Sequence, residues 1–323
     1  MSEINKQYFD VIEEGNGFCV ASVREFGDLL DYLQSGDGHK GWVFRGQSDS
    51  SWDLSPSLYR GCSNANPAGL AVRHLEKFKI YARGRVPNTD GWGDERYWAL
   101  GRHYGLKTPL LDWSASPFIA LFFAFCDGTS LDNDRALYSL DASYVNRVFC
   151  QRIGERLRLD ESLRESFEER YDLSAFNNDE KSVILGRAII DIFDSDLRKS
   201  DDKSGLFKDF ISSSVDNFIR LLSPKTGDNP RLLNQRGVFT YQTSIEPNER
   251  IIKSSPVPPK QVLLKIVIPK EIRHKVLTFL NNMNINHLSL FPDLEGASKY
   301  CNEKLLEEVS ADVTDLNINR IWL

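Results

Sequence analysis

The chain has 323 residues, 41% of them hydrophobic, enough for a large core in one domain with an insertion or in two domains. Acidic side chains outnumber basic ones 46 to 40, a net charge of -6, so a nucleic-acid or anionic-membrane partner would need a local basic patch. Five scattered cysteines with no C-x-x-C pair, a start (MSEINKQYFD) unlike a leader, and no run near the ~20 apolar residues of a membrane span give the expectation of a cytoplasmic protein without disulfides, metal or membrane partner.

In chain order, Ser22-Val23-Arg24-Glu25 has the S-x-x-E form of a capping box, and Phe26, Leu29, Leu30 and Leu33 follow at helical spacing. Gly41-Trp42-Val43-Phe44 reads as a buried strand that ends in Arg45-Gly46. Leu70 to Arg85 carries a helical pattern. After a Gly/Pro/Asn/Asp loop, Asp94 is placed to cap a helix carrying Trp98 toward Gly105. Leu110-Leu111 suits a short buried strand, and Ser116-Pro117 an N-cap with proline at the first helical position, opening an almost wholly apolar helix. Arg135 to Asp141 reads as a strand. From Tyr144 to Leu222 the texture becomes charged and helix-favouring, and strand texture returns at Arg236 to Tyr241. Gln261 to Ile268 (QVLLKIVI) is the strongest strand signal. Pro269 starts a helix through Leu280, Ile285 to Phe291 reads as strand and turn, and Asp293 to Val309 as a final helix.

An arginine ending an apolar strand, with glycine beside it, suits either an anion site or a structural ion pair. FRGQ at Phe44 to Gln47 is followed by HYGLKTPLLDWSASPFIALFFA at His103 to Ala124, NQRGVFTY at Asn234 to Tyr241 and LFPDLEG at Leu290 to Gly296. These four segments, in this order and spacing, resemble the FRG domain, a family often met in bacterial and phage-related proteins. The strand ending in Phe44-Arg45-Gly46, and Leu111-Asp112-Trp113-Ser114 before Ala120-Leu121-Phe122-Phe123, are similar to elements of arginine-type ADP-ribosyltransferases. In those enzymes the Arg holds the phosphates of NAD. Their catalytic Glu on a late strand has no counterpart here: NQRGVFTY offers Gln235, while Glu246 and Glu295 stand in turn-like contexts.

The resemblance implies an α+β fold whose split β-core is like that of an ADP-ribosyltransferase, with 1–143 and 223–323 as the two halves of the domain and 144–222 as a helical insertion. It implies a cleft in which Arg45, Asp112 and Gln235 are the catalytic candidates and Gly46, Gln47, His103, Tyr104, Trp113, Ser114 and Arg236 the ligand-binding ones. Cleaving NAD needs a cation for the diphosphate, a pocket for the ribose and nicotinamide, and an anion near the developing oxocarbenium ion. Arg45 suits the first role, Tyr104, Trp113 and Ser114 the second, and Asp112 the third, although Asp112 is equally suited to capping a loop or pairing with Arg45. Trp92 to Tyr104, with Arg96 and Arg102, suits core packing or base stacking. Two functions follow: an NAD-using enzyme of glycohydrolase or transferase type, with a protein or nucleic-acid acceptor and a role in bacterial defence, or a non-catalytic module that binds a nucleotide, a nucleic acid or a protein.

Overall fold

Arg135–Asp141 (β5) is buried at every position and Leu263–Ile268 (β8) nearly so, which requires cover on both faces of whatever sheet holds them. They pair with each other inside one eight-stranded sheet, ordered β1-β2-β8-β5-β3-β4-β7-β6. The other strands are Phe9–Gly15 (β1), Phe18–Val23 (β2), Trp42–Gln47 (β3), Leu110–Ser114 (β4), Ile219–Leu222 (β6) and Gly237–Gln242 (β7). All neighbours run antiparallel except β2 and β8. The computed structural model describes residues 7–35, 41–63, 66–86, 89, 92–127, 132–159, 180, 183–184, 219–222, 230–254 and 261–312.

Ten helices are described: Phe26–Ser35 (α1), Pro67–Ala82 (α2), Asp94–His103 (α3), Pro117–Phe125 (α4), Ala142–Leu159 (α5), Pro230–Asn234 (α6), Asn248–Lys253 (α7), Arg273–Asn282 (α8), His287–Leu290 (α9) and Leu294–Asp312 (α10). Among the described residues no helix is long and apolar enough to cross a membrane. Alternation along the strands divides the core. Phe44, Leu137, Leu264 and Ile266 pack with Leu29 of α1, Phe122 of α4 and Leu280 of α8. Val43, Ala136, Tyr138 and Leu263 pack on the other side with Val145 of α5 and Ile251 of α7. Because α4 carries core residues over most of its circumference, it lies in the interior, and its N-terminus is set by Ser116, whose Oγ accepts from Ile119 N at 3.4 Å.

Several expectations are corrected. Ser22 lies in β2 rather than capping α1. Before it stands a hairpin, β1 and β2, whose turn Asn16-Gly17 has φ of 39° and 76°, the left-handed pair that Asn-Gly favours. Asp94 is the first helical residue of α3 and its carboxylate holds Lys79 at 2.7 Å. Ile285 to Phe291 is not a strand: Asn286 caps Ser289 N at 3.0 Å, Ser289 bonds back at 3.2 Å, and α9 results. Of the segment 144–222, the described part is most of α5, residues 180 and 183–184, which are helical, and β6. That strand lies at the sheet edge beside β7, so helix is not the segment's sole structure; its remainder lies outside the described residues.

Candidate functional site

Strands β3 and β4 pair at one position, Phe44 with Ser114. Both run on, through Arg45–Gln47 and back through Leu110–Trp113, without further ladder partners between them, so the sheet splits there. A split leaves backbone carbonyls that still need donors. Arg45 supplies one: its Nη1 donates to the Asp112 carbonyl at 2.7 Å and lies 3.7 Å from Asp112 Oδ2. The Arg45 side chain is 12% exposed, and among the described residues its Nε has no hydrogen-bond partner. Burial, partly offset by Asp112 and reinforced by Arg102 and Arg60, pushes its pKa down to about 10, so it remains a cation at neutral pH.

Asp112 is gripped from α3. Arg102 Nε and Nη2 donate to its Oδ1 and Oδ2, a fork on a carboxylate. Burial alone would raise the Asp112 pKa, but the guanidiniums of Arg102 and Arg45 outweigh it and hold the carboxyl below its usual range. For Arg102 burial again opposes the charge, and Asp112 reverses the direction. Arg60, on the loop after β3, lies in electrostatic reach of Arg45, Arg102 and Asp112. Burial and Arg102 lower its pKa, against the pull of Asp112. Three guanidiniums thus share a single carboxylate.

Asp112→Asn should therefore destabilise the fold by about 2 kcal/mol. Breaking a buried pair costs roughly 3–5 kcal/mol, discounted here because the Asp112 side chain is 44% exposed. Asp112 is a depressed carboxyl, so its contribution is complete above the ordinary carboxylate pKa. It is lost as pH falls from that range through the lowered folded value. Urea unfolding of wild type and variant at pH 7 and pH 3 checks this: the gap between them should shrink in acid.

The split opens into a cavity of about 370 Å³ whose wall includes Arg45, Gln47, Arg102, Asp112, Ser114 and Gln235. Its members come from β3, α3, β4 and the turn before β7, so the chain's distant motifs converge. His103, Gly46 and Trp113 also reach this wall. Trp113, however, is 3% exposed, and its Nε1 donates to Thr240 Oγ1 at 2.9 Å, which assigns the ring to the core. Gly46 is packed under α4. Ser114 ties β4 to the turn, its Oγ donating to the Gln235 carbonyl at 2.8 Å and accepting from Ser116 N at 3.0 Å. Gln235 Nε2 donates to the Leu290 carbonyl at 3.2 Å. Gln47 is 3% exposed, and its buried Oε1 has no hydrogen-bond partner among the described residues.

Two predicted residues are not brought to the cavity wall. Tyr104 follows α3 as its C-cap, is 74% exposed and meets His103 edge-on. Arg236 is exposed with φ of 47°, and its backbone carbonyl accepts from Ala115 N at 2.9 Å. Arg231 was not singled out from the sequence, yet it lines the cavity. Its Nε donates to Asp293 Oδ2 and its Nη2 to Glu295 Oε2, each at 2.6 Å, and its guanidinium lies over Phe291. The carboxylates of LFPDLEG thus serve to orient an arginine: hydrogen bonds from Lys299 and Arg231 pull the Glu295 pKa down to about 2. Asp293 also caps α10, accepting from Gly296 N at 3.1 Å. Of the expected base-stacking candidates, Trp98 is core and Arg96 stacks on Trp92 at 3.9 Å.

The family model of the FRG domain matches residues 40–133, which span β3, α2, α3, β4 and α4. No curated protein and no solved structure matches the chain.

Proposed function

For a chain that carries an FRG domain at residues 40–133, we propose that the β3–β4 cleft binds a phosphate-bearing, nucleotide-type ligand. The observation that carries this reading is the arginine cluster at the cavity: Arg45 and Arg102 line it beside the carboxylates Asp112 and Asp127, Arg60 lies in electrostatic reach of both arginines, and Arg45 Nε has no hydrogen-bond partner among the described residues. Buried guanidiniums are costly unless compensated, and the planar fork of arginine suits phosphate oxygens. The resemblance to ADP-ribosyltransferases makes NAD a candidate ligand and substrate. Binding is the function the geometry supports best, because both oxygens of Asp112, the carboxylate first in line for an oxocarbenium ion, are held by Arg102.

Thermal melts with pyrophosphate, ADP, ADP-ribose and NAD, beside uncharged adenosine and ribose, test it. The phosphate-bearing compounds should raise the midpoint by mass action, less so in high salt, and the neutral ones should not. Nicotinamide release followed in the NAD sample should stay at background. A midpoint indifferent to every phosphate compound at millimolar concentration would overturn the reading, and nicotinamide release would replace binding with catalysis.

A further inference from the structure

A second cavity, about 550 Å³, opens between the Ser51–Cys62 loop and the segment 245–250. Trp52 lines both cavities, and Arg60, charge-coupled to Arg45 and Asp112 at the first, lines the second. Of the described tryptophans Trp52 is the exposed one, at 44%, and among the described residues no ring or cation stacks on it.

Its backbone, by contrast, is fixed. Trp52 N donates to the Asp49 carbonyl at 3.3 Å, and its own carbonyl accepts from the Tyr138 hydroxyl at 3.2 Å. Asp49 Oδ1 accepts from Ser51 N and Oγ at 2.8 and 2.7 Å, and Oδ2 from Asn133 at 2.7 Å. A large aromatic face left open on a pinned loop, at the junction of a cationic cleft and a second cavity, costs little to order on binding.

We infer that Trp52 is the stacking platform for the base of a nucleoside diphosphate whose phosphates lie toward Arg45, with the nucleoside end directed into the second cavity. The inference rests on the anion reading of the first cleft and adds to it what is recognised beyond phosphate. Every base offers a π-face, so the platform grips the base without selecting its sequence identity. Glu246, which pairs with Arg250 four positions on at 3.2 Å, lines the second cavity and would accept from ribose hydroxyls.

The test is calorimetric titration of ADP and of inorganic pyrophosphate into wild type, Trp52→Phe and Trp52→Ala. ADP should bind about tenfold or more weakly to Trp52→Ala, in line with base stacking on aromatics, and nearly normally to Trp52→Phe. Pyrophosphate should bind all three alike. ADP should also quench tryptophan fluorescence in wild type and not in Trp52→Phe. If ADP and pyrophosphate bind wild type equally and Trp52→Ala changes neither, the platform is wrong and the anion site stands. If neither binds wild type, both fail. A Trp52→Ala protein with an altered melt is judged on the Phe variant's fluorescence, where retained quenching overturns the assignment.

Discussion

Gly46→Ala should cost about 3 kcal/mol, the top of the range for overpacking a core, and should do so whether or not any ligand is present. A Cβ built at Gly46 falls 2.0 Å from the Ala120 carbonyl oxygen and 2.5 Å from Ala124 N, both backbone atoms of α4. No rotamer change relieves a contact with backbone, so the helix would have to withdraw. That helix is buried along most of its length, with Ala120, Leu121, Ala124 and Phe125 at 1% exposure or less. The glycine next to Arg45 is thus the point where an interior helix crosses the sheet against the strand's backbone, and the arginine's setting at the split depends on that crossing. Near-UV circular dichroism and thermal melts check it: loss of tertiary signal and a sharply lowered midpoint are expected. A normal melt coupled with lost ligand binding would return Gly46 to a role in admitting ligand.

Strands were legible where the apolar pattern left no choice, as in β5 and β8, and α4 was legible because Ser116-Pro117 and its all-round apolarity mark a capped interior helix. The convergence of Arg45, Asp112, Ser114 and Gln235 on one cavity was also legible, since each interrupts an apolar stretch with a polar group that must find a partner. The identity of those partners was not. Arg102 lies in a helix whose local pattern says only that it is polar, and its fork onto Asp112 arises from the packing of α3 against the sheet. Arg231 gave no local signal either, because its carboxylates stand 62 and 64 positions away. Asn16-Gly17 did carry a hairpin signal, masked by the charged Glu13-Glu14 before it, which makes β1 look unlike a strand. The Asn286 and Ser289 cap was equally readable, but four helical residues are too few for periodicity to show.

Arg45→Lys should abolish most ligand binding, roughly 10- to 100-fold, while lowering stability by only about 1–2 kcal/mol. Lysine keeps the charge but gathers its donors on one nitrogen, so it lacks the planar fork in which one nitrogen donates to the Asp112 carbonyl across the split while others face a phosphate. The modest cost to the fold follows from Arg102. Were Arg45 the only partner of Asp112, its removal would strand a carboxylate, at roughly 3–5 kcal/mol. With Arg102 on both oxygens, Asp112 stays paired and the loss is confined to one charge-assisted bond between two strands that already meet at Phe44 and Ser114. Arg45→Ala should match the lysine variant in binding and differ little in stability. Melts of all three proteins with and without ADP-ribose decide it. Variants that melt within a few degrees of wild type but show no rise with ligand place the arginine's function in the anion. Variants that unfold far earlier, beside a wild type that ADP-ribose does not stabilise, would make Arg45 solely the bolt across the split sheet.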